Sequence, residues 1–150
     1  MAGIFAKGTG LYVGDGASPE AFTKVANVKS IDGPSYKVQV VKTTTHSTVG
    51  NFEEKAAVLI DAGQLKFTAN FDPDDPTLNP TTAGSLFSSM QALEAVNFQL
   101  RLSPGNPNHQ MMTGRGFIVD HGFKFPVDNI QEATIAIEID GALTWTTFTP

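Results

Sequence analysis

The chain has 150 residues, 41% of them hydrophobic, with fifteen acids against ten bases, a formal net charge of −5 and no cysteine. That length suits one domain with a real core, disulfides have no part in it, and singly scattered bases argue against tight binding to phosphate backbones. Met1–Lys7 lacks the apolar run of a signal peptide, and no stretch approaches the roughly 20 apolar residues of a membrane helix, so no membrane binding by this chain is expected.

Residues 1–16, with glycines at positions 8, 10, 14 and 16, read as an extended N-terminal arm around one short apolar piece, Leu11-Tyr12-Val13. Phe22 to Ile31 reads as a strand with Val25 and Val28 on opposite faces. Asp32-Gly33-Pro34-Ser35 is a turn signal, and Tyr36 to Val41 is the β-rich second arm of a hairpin. Residues 42–62 then read as a long polar inter-strand loop in which only Val58-Leu59-Ile60 is strongly apolar. Connections of that length tend to be functional or disordered.

Gln64 to Phe71 alternates strictly. Leu65, Phe67, Ala69 and Phe71 form one face, and Gln64, Lys66, Thr68 and Asn70 the other. Successive strand side chains point to opposite faces, so this segment has one oily side and one wettable side. Asp72-Pro73-Asp74-Asp75-Pro76 ends it. A helix is expected over 83–95, capped by Thr82, with Leu86, Met90 and Leu93 as its apolar stripe. Val96–Leu102 is another alternating strand, followed by a Pro/Gly/Asn loop over 103–108. Met111-Met112 reads as packing or an interface patch. Arg115–Phe125 reads as a strand with Phe117, Val119, Phe123 and Phe125 in the core and a bulge at Gly122.

Glu132–Asp140 repeats the two-faced plan. Ala133, Ile135, Ile137 and Ile139 point one way; Glu132, Thr134, Ala136, Glu138 and Asp140 point the other. Two such strands predict an antiparallel sheet with one side packed and one side solvated. Leu143–Phe148 is the last strand, with Trp145 and Phe148 on opposite faces and one of the two in the core. The sum is a mainly β domain of about seven strands with one helix lying on the sheet.

Catalytic and ligand-binding signals are missing. His46, His109 and His121 make no ligand spacing. Asp72–Asp75 lacks the glycine and distal glutamate of a calcium loop. Gly8-Thr9-Gly10 with Gly14 has the wrong spacing for a dinucleotide fingerprint. Neither a Gly-x-Ser-x-Gly elbow nor a phosphate-binding loop occurs. No catalytic residue, metal or cofactor is expected, and the chain does not read as an enzyme. A carbohydrate-binding sandwich would need more exposed aromatics on one face than Trp145, Tyr12 and Tyr36 supply.

One ordered series of segments covers most of the chain. It runs Ser30-Ile31-Asp32-Gly33-Pro34, Thr44-Thr45-His46-Ser47, Glu53-Glu54, Leu59-Ile60-Asp61-Ala62-Gly63, Leu65 to Pro73, Phe117 to Gly122, Pro126-Val127 and Glu132 to Gly141. In order and spacing it resembles the major tail protein family of bacteriophages with long non-contractile tails. The resemblance implies a β-sandwich or open β-barrel with one flanking helix and a long inter-strand loop. It also implies a single tail tube domain over 1–150, without the C-terminal immunoglobulin-like domain of some relatives. Subunits of that family close into hexameric rings, which stack into a tube that passes double-stranded DNA. The implied setting is the virion tail, reached from the host cytoplasm during assembly. The implied partners are further copies of the chain and the length-setting, terminator and tail-tip proteins.

On that reading Gln64, Lys66, Thr68, Asn70, Glu132, Thr134, Glu138 and Asp140 are the expected lumen residues. Glu132, Glu138 and Asp140 would make the bore negative, so that DNA slides rather than sticks. Thr44, His46, Asn51, Phe52, Glu53, Glu54 and Lys55 are the expected inter-ring contacts. The alternative is the tube protein of a type VI-like secretion or contractile injection system, with the same fold and a protein cargo.

Overall fold

The computed structural model describes residues 8–14, 21–46, 50–81, 85–102 and 110–147. Within them ten strands and one helix follow one another: β1 Gly10–Gly14, β2 Phe22–Lys24, β3 Val28–Asp32, β4 Lys37–Lys42, β5 Lys55–Asp61, β6 Gln64–Asn70, α1 Leu86–Ala92, β7 Ala95–Arg101, β8 Gln110–Lys124, β9 Glu132–Ile139 and β10 Thr144–Thr147. Pairing is antiparallel in the order β2-β1-β7-β8-β9-β6-β3, with β10 also on β8, while β4 and β5 form a separate two-stranded ribbon.

Two features turn this sheet into a barrel. The first is β8, 15 residues long. Its first half pairs with β7 and β10, and its second half pairs with β9. The register shifts between Ile118 and Asp120, so one strand serves two half-sheets across a bulge. The second is the segment Phe22–Asp32. Its β2 end pairs with β1 at one end of the strand order, and its β3 end pairs with β6 at the other. Only Val25–Asn27 lies between. The Val25 N–H donates to the Leu11 carbonyl (2.9 Å), and the Asn27 carbonyl accepts from Asn70 N–H (3.0 Å). This one segment joins the two ends of the strand order and so closes the sheet on itself.

The core fills the closed space. Leu11, Phe98 and Leu100 come from one half-sheet, and Leu65, Phe67, Ile135 and Ile137 from the other. All are buried, and each contributes on the order of 1.5–3 kcal/mol by leaving water. Helix α1 lies over β8, with Leu86 in the core and Met90 packed against it. Phe87 meets His121 edge-on at 5.4 Å. Ser85 caps the helix: it is fully buried and its hydroxyl accepts from Ser88 N–H (3.2 Å).

The structure departs from the sequence reading at several places, each with a local cause. Residues 10–14 of the expected arm are strand β1, held because Leu11 and Val13 are buried. Phe22–Ile31 is two strands, broken where Asn27 takes φ 60°, a left-handed conformation that asparagine tolerates. Val25 and Val28 consequently both meet the core. Tyr36–Val41 does not pair back on that segment; β4 pairs with β5. The expected loop over 42–62 is therefore shorter, because Lys55–Asp61 is strand.

Leu93 does not join the helical stripe. It sits in the left-handed C-cap (φ 57°) and is 83% exposed. The proposed cap Thr82 lies outside the described residues, as do His109 and Phe148. On β8 the bulge falls at 118–120 and not at Gly122, which pairs regularly with Thr134. The bulge reverses which residues face inward, so Ile118 is buried while Phe117 and Val119 are exposed; Phe125, beyond the end of β8, is exposed as well. Trp145 is half exposed, and Ala136, assigned to the polar face, is buried.

Candidate functional site

Two surfaces stand out, one polar and one apolar. The polar surface is the outer side of β6 and β9. Their register places Gln64 opposite Glu138, Lys66 opposite Ala136, Thr68 opposite Thr134 and Asn70 opposite Glu132. Directly opposed residues of an antiparallel pair share a face. The polar sets of the two strands therefore merge into one surface, while Leu65, Phe67, Ile135 and Ile137 line the other side. The Thr68 and Thr134 hydroxyls lie 3.5 Å apart. Neighbouring strands extend the surface: Asp32 of β3 faces Lys66, and Lys124 of β8 faces Glu132. Asp140 lies just beyond β9, exposed, with its N–H donating to the Arg115 carbonyl (2.8 Å).

Charge on this face is mixed rather than purely acidic. Glu132 forms an ion pair with Lys29. That hydrogen bond, aided by the charges of Lys29 and Lys124, holds the Glu132 carboxyl below its ordinary 4.5 against a weaker opposing effect of burial. Asp32 has Lys66 across from it. Asp140 has Arg115 across from it, whereas the strand partners of Glu138 are Gln64 and Phe117, neither of them a cation. Of the acids on this side, Glu138 is thus the one with no cation as a strand partner.

The apolar surface is the β4–β5 ribbon. All 13 of its residues are exposed. Val38, Val40, Val41, Val58, Leu59 and Ile60 are between 44% and 71% exposed. An isolated two-stranded ribbon is marginal in water, and contiguous exposed apolar side chains of this kind mark interaction surfaces. The ribbon is held at its tip by local bonds. Thr43 N–H donates to the Glu54 carbonyl (2.9 Å), Glu54 N–H donates to Thr44 Oγ1 (2.8 Å), and Lys42 pairs with Glu53 (2.8 Å).

The residues expected to join rings fall on this element. Thr44, His46, Asn51, Phe52, Glu53 and Glu54 are on the tip, all exposed, with Phe52 at 86%; Lys55 opens β5 opposite Lys42. The apolar flanks were missed as a site. Their signal was present: two β-rich runs, Val38–Val41 and Ala56–Ile60, enclose a polar tip and share the length of a hairpin arm.

Among the described residues no three of His, Asp and Glu come together in metal-ligand geometry, and no helix is long and apolar enough to cross a membrane. Asp75 is buried, but its Oδ1 serves the turn by accepting from the Thr77 amide (3.0 Å) and hydroxyl (2.7 Å).

Among solved structures, a chain of the SPP1 tail tube superposes with a TM-score of 0.71 at 10% identity, over 99% of this chain and 81% of that one. The chain has the tail-tube fold. A chain of the native gene transfer agent virion shares this tail-tube fold with a TM-score of 0.70 at 16% identity, over 97% of this chain and 100% of that one. A chain from the sheath/tube terminator of PVC, an extracellular contractile injection system, does so with a TM-score of 0.69 at 13% identity, over 98% and 99%. No protein-family model and no curated protein matches the sequence.

Proposed function

We propose that this chain is a structural virion protein, the self-assembling subunit of a bacteriophage tail tube. The observation that carries the reading is the ribbon: an apolar element on which every residue is exposed, attached to a barrel shared with the SPP1 tail tube. Such a surface is stable when a second copy covers it. Six subunits close a ring, a number supported by the sixfold symmetry of the gene transfer agent tail, one chain of which matches with a TM-score of 0.61. Rings stack through the ribbon and its tip, with Thr44, His46, Asn51, Phe52, Glu53, Glu54 and Lys55 at the joint. The polar face of Gln64, Lys66, Thr68, Asn70, Glu132, Thr134, Glu138 and Asp140 lines the bore. Double-stranded DNA passes there without specific binding, because Glu138, with no cation as a strand partner, repels phosphate while the Lys29–Glu132 pair cancels itself. Length-setting, terminator and tail-tip proteins bind the ends of the tube. The protein performs no catalysis and resides in the virion tail after assembly in the host cytoplasm.

A second reading is the tube of a contractile injection system, favoured by the matches to chains of the PVC terminator and of the anti-feeding prophage baseplate. Electron microscopy of the purified protein, dilute and then concentrated, tests both. Hollow tubes with a bore wide enough for a DNA duplex are expected. A protein that stays monomeric even when seeded with preformed tail tips refutes the assembly role. Because the chain has no cysteine, a single Thr68→Cys substitution reports the bore: a small maleimide should reach it in tubes, whereas a bulky one should not.

A further inference from the structure

The ribbon is not a separate appendage. The antiparallel pairing that matches Asp32 with Lys66 between β3 and β6 resumes as Lys37 with Asp61 between β4 and β5. The strands advance by equal lengths across the gap, so the ribbon resumes the β3–β6 register and keeps it up to the shift between Gln39 and Val40. Between the two lies a neck, residues 33–36 and 62–65, where the backbones come too close for a side chain at Gly33 and at Gly63. Gly33 has φ +95°, and a Cβ there would fall on the Gln64 carbonyl oxygen. Gly63 has φ +78°, and a Cβ there would lie 2.6 Å from the Ser35 carbonyl oxygen. The neck is also tied to the barrel. Ile139 N–H of β9 donates to the Gly63 carbonyl (3.0 Å), and on the ribbon side Gly63 N–H donates to Asp61 Oδ1 (2.9 Å).

We propose that Gly33 and Gly63 are positioning residues for self-assembly, locking the neck so that the ribbon is a rigid lever aimed from the barrel before any partner arrives. The inference rests on the tube reading and adds its geometry. A loop that ordered only on contact would lose conformational entropy at each joint; a pre-aimed ribbon avoids that loss. Each glycine meets backbone, which cannot yield as a flexible side chain does. An added methyl must therefore push the two neck segments apart and swing the ribbon.

The test compares Gly33→Ala and Gly63→Ala with Gly141→Ala. Gly141 has a similar φ of +81° but nothing within 4 Å of an added Cβ, so it controls for the general strain of a left-handed alanine. Both neck variants should keep a cooperative melt and raise the critical concentration for tube formation by about tenfold or more, while the control assembles like wild type. Residual dipolar couplings of the dilute wild-type subunit supply an independent readout. Amides of Val38–Val41 and Val58–Ile60 should share one alignment tensor with β6 and β9, and in the neck variants they should not. Neck variants that assemble at wild-type concentrations, or a wild-type ribbon with its own alignment tensor, overturn the proposal. If both variants fail to fold, the wild-type couplings decide. A wild-type protein that never assembles refutes the tube reading instead, and the couplings then judge the rigid neck alone.

Discussion

Replacing Ile60 by alanine separates what holds the subunit together from what joins subunits. The substitution removes three carbons, each worth about 0.8 kcal/mol when taken out of water. Ile60 is 71% exposed in the free subunit, so about 1.7 kcal/mol of that remains to be gained when a second copy covers the ribbon, and about 0.7 kcal/mol at most is already realised in the fold. At about 1.4 kcal/mol per tenfold, each joint weakens about 15-fold and the critical concentration rises accordingly. The thermal midpoint of the free subunit should drop by no more than about 3 °C. Ile137→Ala is the opposite case. Ile137 is fully buried, so a loss of about 2–5 kcal/mol falls on the barrel itself. The assay is sedimentation of tubes across a concentration series, with calorimetry of the dilute protein alongside. An Ile60→Ala protein that assembles at wild-type concentrations would refute the ribbon as a joint. One that melts as low as Ile137→Ala would show that Ile60 is packed within the subunit.

Other expectations follow from the same geometry. Glu138→Lys should leave tubes intact but slow DNA ejection from virions, since Glu138 has no cation across from it; normal ejection kinetics would remove the charge role. Ser85→Ala should cost about 1 kcal/mol in urea unfolding, because a fully buried cap is lost; an unchanged midpoint would mean that another group takes over the Ser88 amide. The Glu132 carboxyl is held below 4.5 by Lys29, so its stabilising pair is complete above pH 4.5 and is lost as pH falls through the lowered value. A carboxyl titration by NMR should show this, and Lys29→Gln should return Glu132 to its ordinary range. His121 sits between Phe87 and Phe123, with neither ring nitrogen bonded to a described residue. Burial pushes it below 6.5, against the opposing pull of its own backbone and Asp120. Its contribution to stability is therefore complete above pH 6.5 and declines as pH falls from there toward the lowered value. His121→Phe should flatten that part of the stability–pH curve, and an unchanged slope would assign it to another group.

The alternations of Gln64–Asn70 and Glu132–Ile139 were legible because one side of each strand is shut in the core and the other is not. A period of two cannot be shifted by one residue without burying Glu138 and exposing Ile137. That same constraint limits a pairing between them to registers that keep the two polar sets on one face; which of these forms is seen only in the fold. The β8 strand was harder to read. The alternating apolar residues Phe117, Val119, Phe123 and Phe125 invite a single inward face, but the bulge between Ile118 and Asp120 turns the face over mid-strand. Nothing local to those residues marks the point, because the bulge exists to let one strand serve two half-sheets. The helix was found but misplaced, since Leu93 satisfies helical spacing yet ends the helix in a left-handed cap.

By itself, the order of residues determined a mainly β chain with no disulfides, its two strongest strands, which side of each is wet, and the polar tip near Thr44 and Glu54. Tertiary structure alone decided that Phe22–Asp32 closes the barrel, that β4 leaves β3 to pair with β5, and that Val38, Val58 and Ile60 remain in water. The physical reason is range. Alternation and turns are set by neighbours a few residues apart, whereas closure and ribbon depend on pairings such as Asp32 with Lys66 and Lys37 with Asp61. Those pairings form only once distant strands have met, and valine or isoleucine reads the same whether its partner lies in its own chain or in the next copy.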